Sequence, residues 1–152
     1  MVVHAAPSPE APTLETIRRL LLGILLLGSL GMGAELLLIG HVESATQLIP
    51  VVGLALGAAG IAWLALAPRP AAVLSVRVLM TAFLVSGITG VVLHYRGNAA
   101  FEREIYPEMA GMELVRHTLT GATPVLAPGS MAILGLVGLA ATYRHPARAA
   151  RY

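Results

Sequence analysis

The sequence predicts an all-α integral membrane protein: a four-transmembrane-helix bundle with a short-helix cap in the outer loop between spans 3 and 4. Composition gives the first reason. Apolar residues fill 57% of the 152 positions and charged residues only 12%, against about 25% charged in an ordinary globular domain. So few charges leave a water-facing surface uncovered. Four long stretches almost free of charge give the second reason, since a bilayer core of about 30 Å takes about 20 apolar residues of helix. Arginines set at the ends of those stretches, mostly on one side, give the third.

Residues 1–13 are rich in Pro and Ala and read as a disordered cytoplasmic segment. They do not read as a cleaved leader, because Arg18 and Arg19 precede an apolar run that is too long and lacks a small-residue cleavage site. The transmembrane domain is expected over 14–145, with spans at about 17–40, 45–67, 71–95 and 124–143, an outer loop at 96–123 and a cytoplasmic tail at 146–152. Within the first span only Glu35 interrupts the apolar run 20–40, and only Arg77 interrupts the third; the second and fourth are uncharged. Ser44 and Gln47, three apart, fit a capping box that starts the second helix at Ala45. Pro50 would then bend it; the alternative is that regular helix begins at Pro50. In the fourth span Pro124 and Pro128 place the start of regular helix near Pro128.

Orientation follows from the arginines. With the N-terminus inside, Arg18, Arg19, Arg69, Arg77, Arg144, Arg148 and Arg151 are cytoplasmic and only Arg96, Arg103 and Arg116 lie outside, a positive-inside bias. Arg77 can snorkel back to the inner headgroups. Trp63, Tyr95 and Tyr143 sit where an aromatic belt would put them. Glycines recur through every span, as at Gly28, Gly31, Gly53, Gly57, Gly87, Gly90, Gly135 and Gly138, which predicts closely packed helices. The two halves show no internal repeat, which speaks against an inverted-repeat transporter.

The outer loop reads as two short helices around Pro107. Asn98 would cap the first, with Phe101 and Ile105 on one face. Residues 108–119 would form the second, with Met112, Val115 and Leu119 as its apolar stripe. Three histidines fall on this side. His41, Glu43, His94, Glu113 and His117 together form a candidate divalent-metal set, although they match no metalloenzyme signature. His41 and His94, closing two outward-running helices above small residues, form a candidate axial pair for a haem or other tetrapyrrole pigment. The alternative is that a neighbouring helix fills that space.

Glu35, about 9 Å below His41 at helical rise, is an intramembrane carboxylate. It must face the bundle, a partner or water, or be protonated. Either it serves as a proton or cation site or it pairs with an outer arginine such as Arg96. Nucleophilic catalysis finds no footing: there is no Cys and no Asp, and no serine sits in a nucleophile motif. The net charge of +2 gives no nucleic-acid signal. The leading expectation is therefore a small accessory or structural subunit of a larger complex in a bacterial inner membrane, meeting other membrane subunits through Gly-rich helix faces and the outer loop. The alternatives are a metal- or haem-binding redox protein using the outer His and Glu, and a proton- or ion-coupled transporter centred on Glu35.

Overall fold

The computed structural model describes residues 10–148, and among them every regular element is helical. In order these are α1 (Glu10–Leu38), α2 (Ala45–Leu66), α3 (Pro70–Ile105), α4 (Gly111–Leu119), α5 (Gly129–Ala141) and a 3-10 turn over Pro146–Arg148. Residues 1–9, including most of the segment expected to be disordered, lie outside the described range, and residues 10–13 already belong to α1. Residues 149–152 of the expected tail lie outside it too. Three helices are long and apolar enough to cross a membrane: α1 from Pro12, α2 and α3. α5 is apolar but has only 13 residues.

Local chemistry explains the helix ends. α1 closes in a Schellman motif: the His41 amide donates to the Leu36 carbonyl at 2.8 Å and the Gly40 amide to Leu37 at 3.1 Å, with Gly40 at φ +69°. Glycine adopts that left-handed conformation without a Cβ penalty. Three residues later the capping box starts α2 at Ala45: the Gln47 amide donates to Ser44 Oγ, and Gln47 Oε1 accepts from the Ser44 amide. Pro50 lies inside this helix, so the capping-box reading holds. α3 opens with Pro70 in its first turn, where the missing donor costs nothing.

α1, α2, α3 and α5 close a ring: α1 packs on α2, α2 on α3, α3 on α5 and α5 back on α1, and the Met131 side chain of α5 reaches across it to Gly53 of α2. Leu25, Leu54, Ile61, Val76, Met80, Phe83 and Met131 form the core of the ring. Its tightest seam joins α3 and α5, which run antiparallel. A Cβ added at Gly87 would lie 2.5 Å from the Ala132 backbone nitrogen, and one at Gly135 would lie 2.6 Å from the Met80 carbonyl oxygen. Here backbone rests on backbone, which only glycine permits. The outward faces are apolar: Leu27, Leu38, Leu66, Val78 and Ile133 are all more than half exposed, as lipid contact requires.

Two expectations for the outer loop are corrected. The first loop helix is not separate, because α3 runs unbroken for 36 residues to Ile105, about 54 Å at helical rise. Nothing between Leu93 and Pro107 breaks a helix, and Asn98 caps nothing: it is buried mid-helix and bonds to a different segment. The second helix is α4, but its inward stripe is Leu114 and Thr118 rather than Met112, Val115 and Leu119. Met112 is 80% exposed. Asn98 Nδ2 holds the Thr118 carbonyl near the end of α4.

Candidate functional site

At the end of the bundle where α3 closes, polar side chains of α3 bind the returning chain. Asn98 Nδ2 donates to the Thr118 carbonyl at 2.9 Å and the Thr123 carbonyl at 2.7 Å, while its Oδ1 accepts from the Thr123 amide at 3.2 Å. His94 Nδ1 lies 3.0 Å from the Pro124 carbonyl oxygen, which cannot donate, so Nδ1 carries the proton. His117 Nδ1 on α4 sits 3.6 Å from Glu102 Oε2 on α3. Each contact ties the segment from Leu114 to Pro124 to α3.

The candidate metal residues are therefore distributed rather than gathered. His94 is occupied with Pro124, and His117 approaches Glu102 instead of Glu113. Glu113 is exposed beside Met112 and Arg116, Glu43 is exposed, and His41 closes the Schellman motif. Among the described residues no three His or Glu side chains come close enough to hold one ion. The space below His94 that would admit a tetrapyrrole is filled. Gly87 and Gly90 face α5, and a Cβ at Gly90 would lie 2.6 Å from Pro128 Cβ.

Glu35 faces away from the ring. It is exposed on α1, and the ion pairs among the described residues, Arg19–Glu15 and His117–Glu102, do not include it or Arg96. Leu27, Leu30, Leu37 and Leu38 around it are all more than half exposed. Gly31, one turn below, has nothing within 4 Å of where its Cβ would be. Gly28 packs on Leu134, and Arg18 reaches Tyr143 and Arg144. The same register sets Glu35 level with the turn that opens α5.

The opposite end of the bundle, where α1 begins and α5 closes, holds a site that sequence reasoning missed. Arg18 is only 9% exposed. Its Nη2 donates to the carbonyls of Tyr143 at 3.2 Å and Arg144 at 3.1 Å, a cationic cap on the C-terminal end of α5. Arg144 is the described non-glycine residue with positive φ, at 44°. Such a conformation costs about 1–3 kcal/mol; Arg18 holds the Arg144 carbonyl, and the Arg144 guanidinium lies 5.5 Å over the Tyr143 ring. Next in the chain, His145 is 8% exposed and accepts the Ala147 amide on Nδ1 at 3.2 Å. Beside them opens a cavity of about 720 Å³ between α1 and α2, with Glu15, Arg18, Arg19 and His145 at its polar end and Leu22, Leu26, Ile61 and Leu64 along its wall. The signal for Arg18 was periodic: it continues the stripe of buried Leu25 and Ser29 and half-buried Met32 at helical spacing.

Burial lowers the His145 pKa from its ordinary value, Arg18 lowers it further and Glu15 opposes them. Between that lowered value and about pH 6.5, the ordinary imidazole value, the unfolded chain binds a proton that the folded chain does not. The ring's contribution to stability is complete above about pH 6.5 and is lost as pH falls through the folded value. Melting temperature measured from pH 8 downward is expected to drop on the acid side of about 6.5, and His145→Gln is expected to remove that component of the drop.

Comparison with protein-family models, curated proteins and solved structures finds no match.

Proposed function

We propose that this chain is a small four-crossing structural subunit of a larger membrane complex, docking a partner helix along the α1 flank that carries Glu35. The observation that carries this reading is Glu35 itself: an exposed carboxylate one turn inside an apolar helix end, without an ion-pair partner among the described residues. Such a group costs about 2.5–3.5 kcal/mol at a helix centre and less toward the boundary. A donor on a neighbouring membrane helix offsets that cost, and Gly31 leaves room for that helix to approach.

The turn ahead of α5 supports a fourth crossing. Its amides bond three residues back, Ala127 to Pro124, Gly129 to Leu126 and Ser130 to Ala127, the 3-10 pattern. At about 2.0 Å per residue this turn adds to the roughly 20 Å of α5 to give about 30 Å, the thickness of a bilayer core. Pro128 lacks the amide that an α-helix would need there. The arginine-rich ends of α1 and α5 meet through Arg18, which supports placing both termini on the cytoplasmic side of a bacterial inner membrane by the positive-inside rule.

Extraction from native membranes in mild detergent tests the proposal. The wild type is expected to run with a partner, and Glu35→Gln is expected to run at the chain's own mass with unchanged helicity. A wild type that runs alone, or a Glu35→Gln variant that keeps its partner, overturns it.

A further inference from the structure

The inner cavity has the chemistry of a lipid site. It runs about 16 Å along α1, from the level of Glu15 to that of Leu26 at helical rise, with an apolar wall over about the last 6 Å from Leu22, and its volume of about 720 Å³ suits a bound organic molecule. Donors collect at its mouth. Arg18 places Nη2 on two carbonyls, and its other guanidinium donors have no partner among the described residues. Arg19 uses Nε on Glu15 at 2.9 Å, leaving both terminal amines. His145 accepts on Nδ1, so the proton of its neutral ring sits on Nε2. Glu15 offsets one arginine, and the α5 carbonyls hold the other without neutralising it. The mouth therefore keeps one net positive charge from Arg18, Arg19 and Glu15.

We propose that this cavity binds one anionic phospholipid, its phosphodiester between Arg18, Arg19 and His145 and an acyl chain along Leu22, Leu26, Ile61 and Leu64. A single negative charge on a group with several acceptors complements this mouth, whereas a zwitterionic headgroup brings a second cation to it. The cavity opens beside the arginine-rich helix ends, the level at which basic residues meet anionic headgroups. This inference rests on membrane residence alone and uses the opposite end of the bundle from Glu35.

Native mass spectrometry of the delipidated full-length chain in neutral detergent tests it, with phosphatidylglycerol, phosphatidylcholine and inorganic phosphate as separate probes. One phosphatidylglycerol per chain is expected to bind more tightly than phosphatidylcholine, and inorganic phosphate is expected not to displace it. Arg19→Gln should weaken that binding about fivefold, the worth of one arginine facing an anionic lipid surface. Gly23→Leu should abolish it. Gly23 lines the cavity and has nothing within 4 Å of where its Cβ would be, so leucine fills the space without displacing a neighbour and the melting temperature should not fall. Equal binding of the two lipids, displacement by inorganic phosphate, or undiminished binding in Gly23→Leu overturns the proposal.

Discussion

Gly135→Ala is expected to destabilise the folded chain by about 2–3 kcal/mol, toward the top of the overpacking range, while Gly31→Ala leaves stability unchanged or raises it. The two substitutions add the same methyl group to a helix and differ in what it meets. At Gly135 the new Cβ would lie 2.6 Å from the Met80 carbonyl oxygen, 2.8 Å from the Leu84 amide nitrogen and 3.2 Å from Leu84 Cα. All three are backbone atoms of α3, so relief requires the helices to separate along their closest seam. At Gly138 the obstacle is Cγ and Sδ of the fully buried Met80 side chain, so Gly138→Ala should be destabilising as well. Gly31 meets nothing within 4 Å, and alanine is favoured over glycine in a helix by about 0.5–1 kcal/mol. Unfolding of each variant in detergent, followed by helical circular dichroism, gives the order. If Gly135 and Gly31 respond alike, helix packing is looser than the backbone contacts imply.

Why these glycines matter was legible as a class and not individually. A Gly-rich span announces close helix approach, but Gly31 and Gly135 look the same in a linear string. Which of them meets the backbone of another helix depends on rotations set by the whole ring. Helix ends show the same division. Ser44 and Gln47 specify their cap through neighbours three residues apart, so the start of α2 could be read directly. Asn98 could not be read, because its partners Thr118 and Thr123 lie 20 and 25 residues away. Locally it resembles a cap; spatially it fastens two segments. Arg18 carries the same lesson. Its charge marked a membrane boundary, but its burial and its bonds to carbonyls more than 120 residues away make it a cap for α5. The sequence implied a shared depth for His41, His94 and His117, but they do not gather: His94 meets a carbonyl, His41 closes a turn and His117 approaches a carboxylate.

Asn98→Leu is expected to release the outer segment while leaving the ring folded. Leucine keeps the volume and burial of the site but removes three hydrogen bonds at once. The carbonyls of Thr118 and Thr123 and the amide of Thr123 then stand beside an apolar side chain. A buried group left unpaired costs about 1–3 kcal/mol. The Thr118 carbonyl is the buried one and Thr123 is exposed, so the segment between α4 and Pro124 should lift to let water reach all three, for a net loss of about 1–3 kcal/mol. The His94 contact to Pro124 and the Glu102–His117 approach are exposed enough to give way with it. Core residues such as Ile61, Val76 and Phe83 lie away from this strap, and their surroundings should not change. Amide hydrogen exchange reads the difference: the Thr123 amide should lose its protection in Asn98→Leu, while amides in the middle of α2 and α3 keep theirs. Asn98→Asp sharpens the test. It retains an acceptor for the Thr123 amide and loses both donated bonds, so protection at Thr123 should fall between the wild type and the leucine variant. Unchanged exchange at Thr123 in Asn98→Leu would mean that α4 packing, through Leu114 and Thr118, holds the outer segment without this side chain.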